Sequence, residues 1–368
     1  MKKSLIALAV AGAFAVPAMA ATSNIDISGK IAADVTSVSG TGTTAGGVSN
    51  NTRQVNNNNS VITVAGNEDL GGGMKAFFSV TYGLPLASAG ALSGQNQIAG
   101  LEGGFGKVFV GAFDNPLKVM GRGVDLFADQ STGDSRYMTS VGAMEARAND
   151  VIAYISPSFS GFQVVVANTN NPLGAVATKG ANNTEMTIIK LAYTNGPLSL
   201  AAGRHTVDSA GVTAGQTGDE SAWRLTGSYK FGDLKVVGSY GKVSDAYNKT
   251  NGAAGEEVKT WGLGAAYGMG PITLKAQYYS LNDKVVNADA HMWALGADYA
   301  LSKRTTAQFA YSKVTNDTAV AYGGGTTTTA GFGNTGATAA VPVAGTDPIG
   351  IMAGKDPSRL SIGLKHTF

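Results

Sequence analysis

RLSIGLKHTF, Arg359–Phe368, alternates strictly with a period of two residues. On an extended backbone Leu360, Ile362, Leu364, His366 and Phe368 share one face, and Ser361, Gly363, Lys365 and Thr367 share the other. A helix would set Ile362 nearly opposite Leu360 and Leu364, and Gly363 inside it would cost about 1 kcal/mol relative to Ala. The stretch reads as a strand with one apolar face. What that face touches decides the fold.

The same pattern recurs along the chain. In NIDISGKIAADV, Ile25, Ile27, Gly29, Ile31, Ala33 and Val35 oppose Asp26, Ser28, Lys30, Ala32 and Asp34. SAWRLTGSYK and PITLKAQYYS repeat it, with Trp223, Leu225, Tyr229, Ile272, Leu274 and Tyr278 on the apolar side. Each segment has roughly the 9 to 11 residues of a tilted membrane-spanning strand. The links between segments alternate too. NEDLGGG, GGFG, PSFSG, TNGP, FGD, GMGP and LSK have tight-turn chemistry, whereas 36–58, 114–147, 170–184, 208–219, 244–257 and 315–357 are long and polar.

Tyr229, Tyr240, Tyr267, Tyr278, Tyr299, Tyr311 and Phe368 fall on the apolar side, many near strand ends, as an interfacial girdle requires. The opposite faces are mostly Ser, Thr, Gly and Gln, fit for a water-filled lumen rather than the charged exterior of a soluble sandwich. The reading is therefore all-β: a transmembrane antiparallel barrel of about 16 strands, with short periplasmic turns and long external loops. The apolar face of LSIGLKHTF meets lipid, and the strand pairs with 25–35, because hydrocarbon tolerates no open edge.

Composition agrees. Charged residues make up 14% of the chain against ~25% in a typical soluble domain, and 51 of the 368 residues are Gly. Lys2 and Lys3 precede an apolar run and a PAMA segment, which predicts an export signal over residues 1–20 and a single barrel domain over 21–368. Without those two lysines the basic count falls from 27 to 25, equal to the 25 acids, so the footprint of a nucleic-acid binder is missing. Cys is absent, which excludes disulfides and a lipid anchor on Cys.

Several stretches resemble the Gram-negative general porins, above all the neisserial and other betaproteobacterial type: ISGKIAAD, GNEDLGGGMKAFF, GFGKVFVGAFDNPL, YISPSFSGFQVVVA and the terminal GLKHTF. The resemblance implies a trimeric outer-membrane pore, constricted by an inward-folded third loop, and an assembly machinery that reads Phe368. That loop would be 114–147, with Asp114, Asp125, Asp129, Asp134 and Glu145 beside Lys118, Arg122 and Arg136. In the family an acidic loop faces a basic wall, and the field between them sets ion preference. Lys30 and Arg147 match wall bases, and Lys75 is a further lumen candidate. Val61 and Ala112 stand where Arg is usual, and Ala65 and Ala153 where Lys is common, so the expected selectivity is weak. Lys365 is expected at the periplasmic rim, away from the constriction.

Other motifs carry less. GFGNTG (331–336) has no strand before it and no helix after it, as a dinucleotide fingerprint needs. His205, His291 and His366 have no metal-ligand spacing, and EDLGGG reads as a turn rather than a cation site. No metal, cofactor or nucleic-acid partner is implied. The functional expectation is passive diffusion of ions and small hydrophilic solutes across the outer membrane. The alternatives are a solute-specific channel with a saturable site, a barrel enzyme, or an adhesin. An enzyme would need a nucleophile close to one of the three His, and none stands out.

Overall fold

Alternating sequences of this kind build strands that are wet or lipid-facing on one side and packed on the other. The computed structural model describes residues 23–42, 52–88, 90–171, 183–210, 219–244, 257–284, 288–318 and 354–368. The export signal and the GFGNTG stretch lie outside them. Seventeen antiparallel segments form one sheet. They are β1 (Ser23–Ser39), β2 (Thr52–Asn57), β3 (Val61–Gly71), β4 (Met74–Gly83), β5 (Ser93–Gly103), β6 (Gly106–Asp114), β7 (Arg147–Ile155), β8 (Phe162–Asn171) and β9 (Asn183–Asn195). There follow β10 (Leu198–Ala210), β11 (Glu220–Phe231), β12 (Leu234–Ser244), β13 (Glu257–Met269), β14 (Ile272–Asp283), β15 (Ala290–Ala300), β16 (Thr305–Asn316) and β17 (Ser358–Thr367).

β2 and β3 both pair with the same edge of β1, Ala33 opposite Asn57 and Lys30 opposite Val61, so they are one stave interrupted between Asn57 and Val61. The seventeen segments therefore make a closed barrel of sixteen staves. β17 closes it on β1 in register from Lys30↔Thr367 to Ser39↔Ser358. Gly29 and Phe368 exchange two backbone hydrogen bonds, 3.0 and 3.1 Å, at the foot of this seam. Gly29 is required there, since a Cβ would run into the Phe368 ring and the Val61 carbonyl.

The apolar faces point outward. Ile25, Ile27, Leu263, Leu295, Leu360 and Ile362 are exposed, while Ala32, Asp34, Thr36, Arg359 and Ser361 are buried inside. Aromatic rings form a belt near the loop end on β11–β16, where Trp223–Tyr240, Trp261–Tyr278 and Trp293–Tyr311 pack with centroids 5.1, 5.3 and 5.2 Å apart. Tyr229, Tyr267, Tyr299 and Phe368 mark the turn end. One expectation is corrected: the first loop is shorter than 36–58, because β1 runs to Ser39 and β2 already begins at Thr52.

The segment between β6 and β7 folds into the barrel. It contains helix α1 (Pro116–Val124) and the short helix α2 (Arg136–Thr139). Leu117, Met138, Val141 and Met144 join Phe109, Val151, Ile188, Val207, Leu281 and Met292 in one buried cluster, so the loop docks on the apolar inner faces of β6–β16. The inner faces of β3 and β4 instead carry polar, half-buried side chains such as Thr63 and Thr81, hydroxyl to hydroxyl at 2.8 Å.

Candidate functional site

The loop is positioned by its first turn. The Asn115 Oδ1 accepts the Leu117 N–H at 2.9 Å and Pro116 occupies the first helical position, which together start α1 where the strand ends. Asn115 Nδ2 donates to the Ala143 carbonyl at 2.9 Å and lies 3.0 Å from His205 Nδ1. The other ring nitrogen of His205 meets Glu220 at 2.7 Å, and Glu220 also accepts the Ala143 N–H. Both ends of the loop are thus tied to one buried point on β10 and β11. Close beside it, Arg224 donates to the Leu117 carbonyl at 2.7 Å and to Glu145 at 2.6 Å.

The charges at the loop tip pair with one another. Arg122 contacts Asp125, Asp129 and Asp134 at 3.3, 2.7 and 2.9 Å, and Arg136 contacts Asp129 and Asp134 at 3.3 and 2.8 Å. Lys30 on β1 joins through Asp129 at 2.9 Å. Three bases therefore meet three acids. Asp134 is held down to about 2 by the two guanidiniums, which overcome the opposing effect of burial. Asp125 goes the other way: burial, then the charge on Asp134, push it up to about 6 despite Arg122.

At the root of the loop Asp114 receives both Lys118 and Arg147 at 2.9 Å. At the tip, Ser131 donates through Oγ to Asp34 at 2.6 Å, and Asn56 and Asn58 reach the same carboxylate at 2.8 and 2.6 Å. This buried acid, held by amides and hydroxyls, pins the tip to β1. Beneath the tip lies a recess of about 210 Å³ lined by residues that include Lys30, Asp125, Asp129, Asp298, Gln308 and Lys365.

The placement of the sequence candidates is mixed. Lys30, Asp114, Arg122, Asp129 and Arg147 keep partial exposure around the loop. Lys118, Asp125, Asp134, Arg136 and Glu145 are buried and hold the loop together. Lys75 faces inward at the turn end, opposite Asp69 and Glu102, far along the strand from the loop. Lys365 is not at the rim below Lys30. It pairs with Ala32 while Lys30 pairs with Thr367, which puts Lys365 on the loop side of Lys30. The acids of the loop do not form a single-signed surface opposite a separate basic wall: they pair with bases on the loop itself and with Lys30 and Arg224 from the wall. Asp34, Ser131 and the Asn115–His205–Glu220 chain went unnoticed in the sequence. An inward-facing acid in a strand, with Asn56 and Asn58 on the next stave, was the available signal for the first.

A closed barrel with an inward-docked, ion-paired loop between β6 and β7 has the architecture of a diffusion pore, and comparison places it. The profile of the Gram-negative porin family matches residues 7–319. The chain belongs to that family. It is an outer-membrane porin, a channel for ions and small solutes. Outer membrane porin protein 32 of Delftia acidovorans is 28% identical to it over 390 positions, covering 100% of both chains. Major outer membrane protein P.IB of Neisseria lactamica is 31% identical, over 83% of this porin and 91% of the relative. The solved anion-selective porin from Comamonas acidovorans superposes with a TM-score of 0.75 at 23% identity, over 94% of this porin and all of that chain. That last likeness concerns the fold.

Proposed function

We propose that this porin is a weakly selective diffusion channel whose aqueous path runs between the docked loop and the inner faces of β3–β5, with the loop end of the barrel outside the cell. The observation that carries the reading is the charge pairing. The segment 114–147 holds Asp114, Asp125, Asp129, Asp134 and Glu145 against Lys118, Arg122, Arg136 and Arg147, and Lys30 and Arg224 from the wall are bound into it. Asp34 and Glu220 from the wall are bound to the loop as well, so the charges nearly balance, with a local positive excess where Lys118 and Arg147 share Asp114. Residues 1–20 act as the export signal, the barrel assembles as a homotrimer, and Phe368 is read during insertion. OmpT of Vibrio cholerae, similar in fold, has been solved in a trimer form.

Planar-bilayer recording tests this. Purified protein should give ohmic steps in groups of three, with a zero-current potential across a tenfold KCl gradient well short of the anion limit. Lys30→Ala should move it toward cations by at most about thirtyfold in permeability ratio, since a unit charge ~4 Å from an ion is worth ~1 kcal/mol in water-like surroundings and acts with opposite sign on anion and cation. Lys365→Ala should move it at least as far, because Lys365 has no carboxylate partner among the described residues whereas Lys30 is offset by Asp129. No shift in either variant would mean that the path lies elsewhere.

The same recording should respond to pH. With Asp125 raised to about 6, the three-acid, three-base tip is neutral at pH 7.5 and gains one positive charge by pH 5, so anion preference should rise on acidification. The folded loop then binds more protons than the unfolded one between the ordinary carboxylate value and about 6, so its docking strengthens as pH falls through that window. Asp125→Asn should abolish both responses. A wild-type potential unchanged from pH 7.5 to 5 would refute the assignment.

A second reading, a saturable site for a small solute, is favoured by the recess beneath the loop tip. It predicts current block that saturates with solute concentration and is lost in Lys365→Ala.

A further inference from the structure

The outward face of β12–β14 carries an unusual group of cations just beyond the aromatic belt. Lys242 and Lys259 stand directly opposite each other across the β12–β13 pair. Each is one outward position further toward the loops than Tyr240 and Trp261, which pair in the same register. Lys284 completes the group from the end of β14, where its N–H meets the Glu257 carbonyl at 3.2 Å. All three ammonium groups converge on the carboxylate of Glu257: Lys242 in direct contact, Lys259 at 2.8 Å and Lys284 at 3.8 Å. Among the described residues this single carboxylate faces three lysines, one negative charge against three positive. Asp289, another described carboxylate on this side, is held by Asn282 at 3.0 Å and by the Asp283 N–H at 3.0 Å.

This placement has a chemical meaning. The Trp and Tyr rings fix the boundary between hydrocarbon and headgroups, so the next outward position lies at headgroup depth. The three lysines are 29%, 46% and 61% exposed, open toward the surroundings rather than folded into the barrel. A convergent, undercompensated cluster of ammonium groups at that depth matches a phosphate, as point charges at flexible reach. The belt beneath, Tyr240, Trp261 and Tyr278, offers flat apolar surfaces against which acyl chains attached to that phosphate can lie.

We propose that Lys242, Lys259 and Lys284 form a binding site for the phosphate of a phosphorylated glycolipid in the external leaflet, with Glu257 spacing the lysines in its absence. The site rests on the orientation given above, loops outward, but not on conduction. Its ligand is a lipid lying against the wall, not a solute in the lumen.

The test uses the full-length barrel folded in detergent and titrated with diphosphorylated lipid A, dephosphorylated lipid A and phosphatidylglycerol, with bound lipid counted by native mass spectrometry. Diphosphorylated lipid A should bind most tightly, and the triple variant K242Q/K259Q/K284Q should weaken it by roughly tenfold or more, given ~1 kcal/mol per interfacial lysine. Glu257→Gln separates a binding role from a structural one. It leaves the three lysines in place, so binding should hold or tighten. The paired control K313Q/R204Q, with cations at the same depth outside the cluster, should change binding less than threefold. The heat-sensitive folded band on electrophoresis verifies that each variant is intact. The proposal is overturned if dephosphorylated lipid A or phosphatidylglycerol binds as tightly as the diphosphorylated form, if the triple variant binds as the wild type does, or if Glu257→Gln loses as much as the triple variant. Bilayer conductance is measured in parallel. Normal conductance with unchanged lipid binding would defeat the lipid site alone, and absent conductance with intact lipid binding would defeat the channel reading alone.

Discussion

Arg224→Ala should release the pore loop while leaving the barrel closed. Arg224 is 1% exposed and holds both the Leu117 carbonyl and the Glu145 carboxylate. Its removal strands a buried Glu145, and breaking one partner of a buried pair costs about 3–5 kcal/mol. Sixteen staves paired by backbone hydrogen bonds do not depend on that residue, so the folded band on unheated electrophoresis should persist. Single-channel current should become noisy, and protease should cut within 114–147 in folded barrels. The double variant Arg224→Met/Glu145→Leu should regain a quiet trace, because apolar residues of similar size often replace a buried ion pair without net loss. A single variant as quiet and as protected as the wild type, or a double variant no better than the single, would sink the idea that this pair anchors the loop.

Deleting Phe368 should have a second large effect, on assembly rather than permeation. The residue closes the seam through two backbone hydrogen bonds with Gly29 and lays its ring over that glycine. Each bond contributes about 1 kcal/mol, and more where hydrocarbon replaces water. The folded fraction in outer membranes should fall by about tenfold or more. Barrels that do form should conduct normally, since the ring faces outward. Gly29→Val should act in the same direction from the other side of the seam, because its side chain meets the Val61 backbone carbonyl, which cannot swing away. Normal insertion of either variant would show that the seam is held elsewhere.

The barrel was readable in the sequence because a two-residue period is a local signal, present wherever one face meets lipid and the other meets water. Leu360, Ile362 and Leu364 point outward as the alternation requires. The stave count survived even the break before Val61, because β2 and β3 share one partner strand. The loop between β6 and β7 was legible as a charged inward segment but not as a wiring diagram. Pairing between Lys30 and Asp129, 99 residues apart, or between Asn115 and His205, 90 apart, depends on how far the loop crosses the lumen, and no spacing encodes that distance. The misplacement of Lys365 has a related cause. The height of Lys365 is set by the stagger by which β17 meets β1 at Gly29 rather than at Ser23, and the two-residue period of the last strand does not encode that offset.

That stagger leads to a last consequence. With β17 bonded to β1, the order of strands is a circle that the chain enters and leaves at a single joint. Ser23 to Ile27 reach past the joint and are paired only on the side of β3. A short peptide from Phe368 back to Ser23 would complete the ring, and a cut between β12 and β13 would open it at another place. Such a permuted chain keeps every inter-strand register, yet its terminal strand becomes β12. It would therefore separate two roles that coincide in the natural order: sealing the wall, and presenting the end of the polypeptide to whatever inserts it.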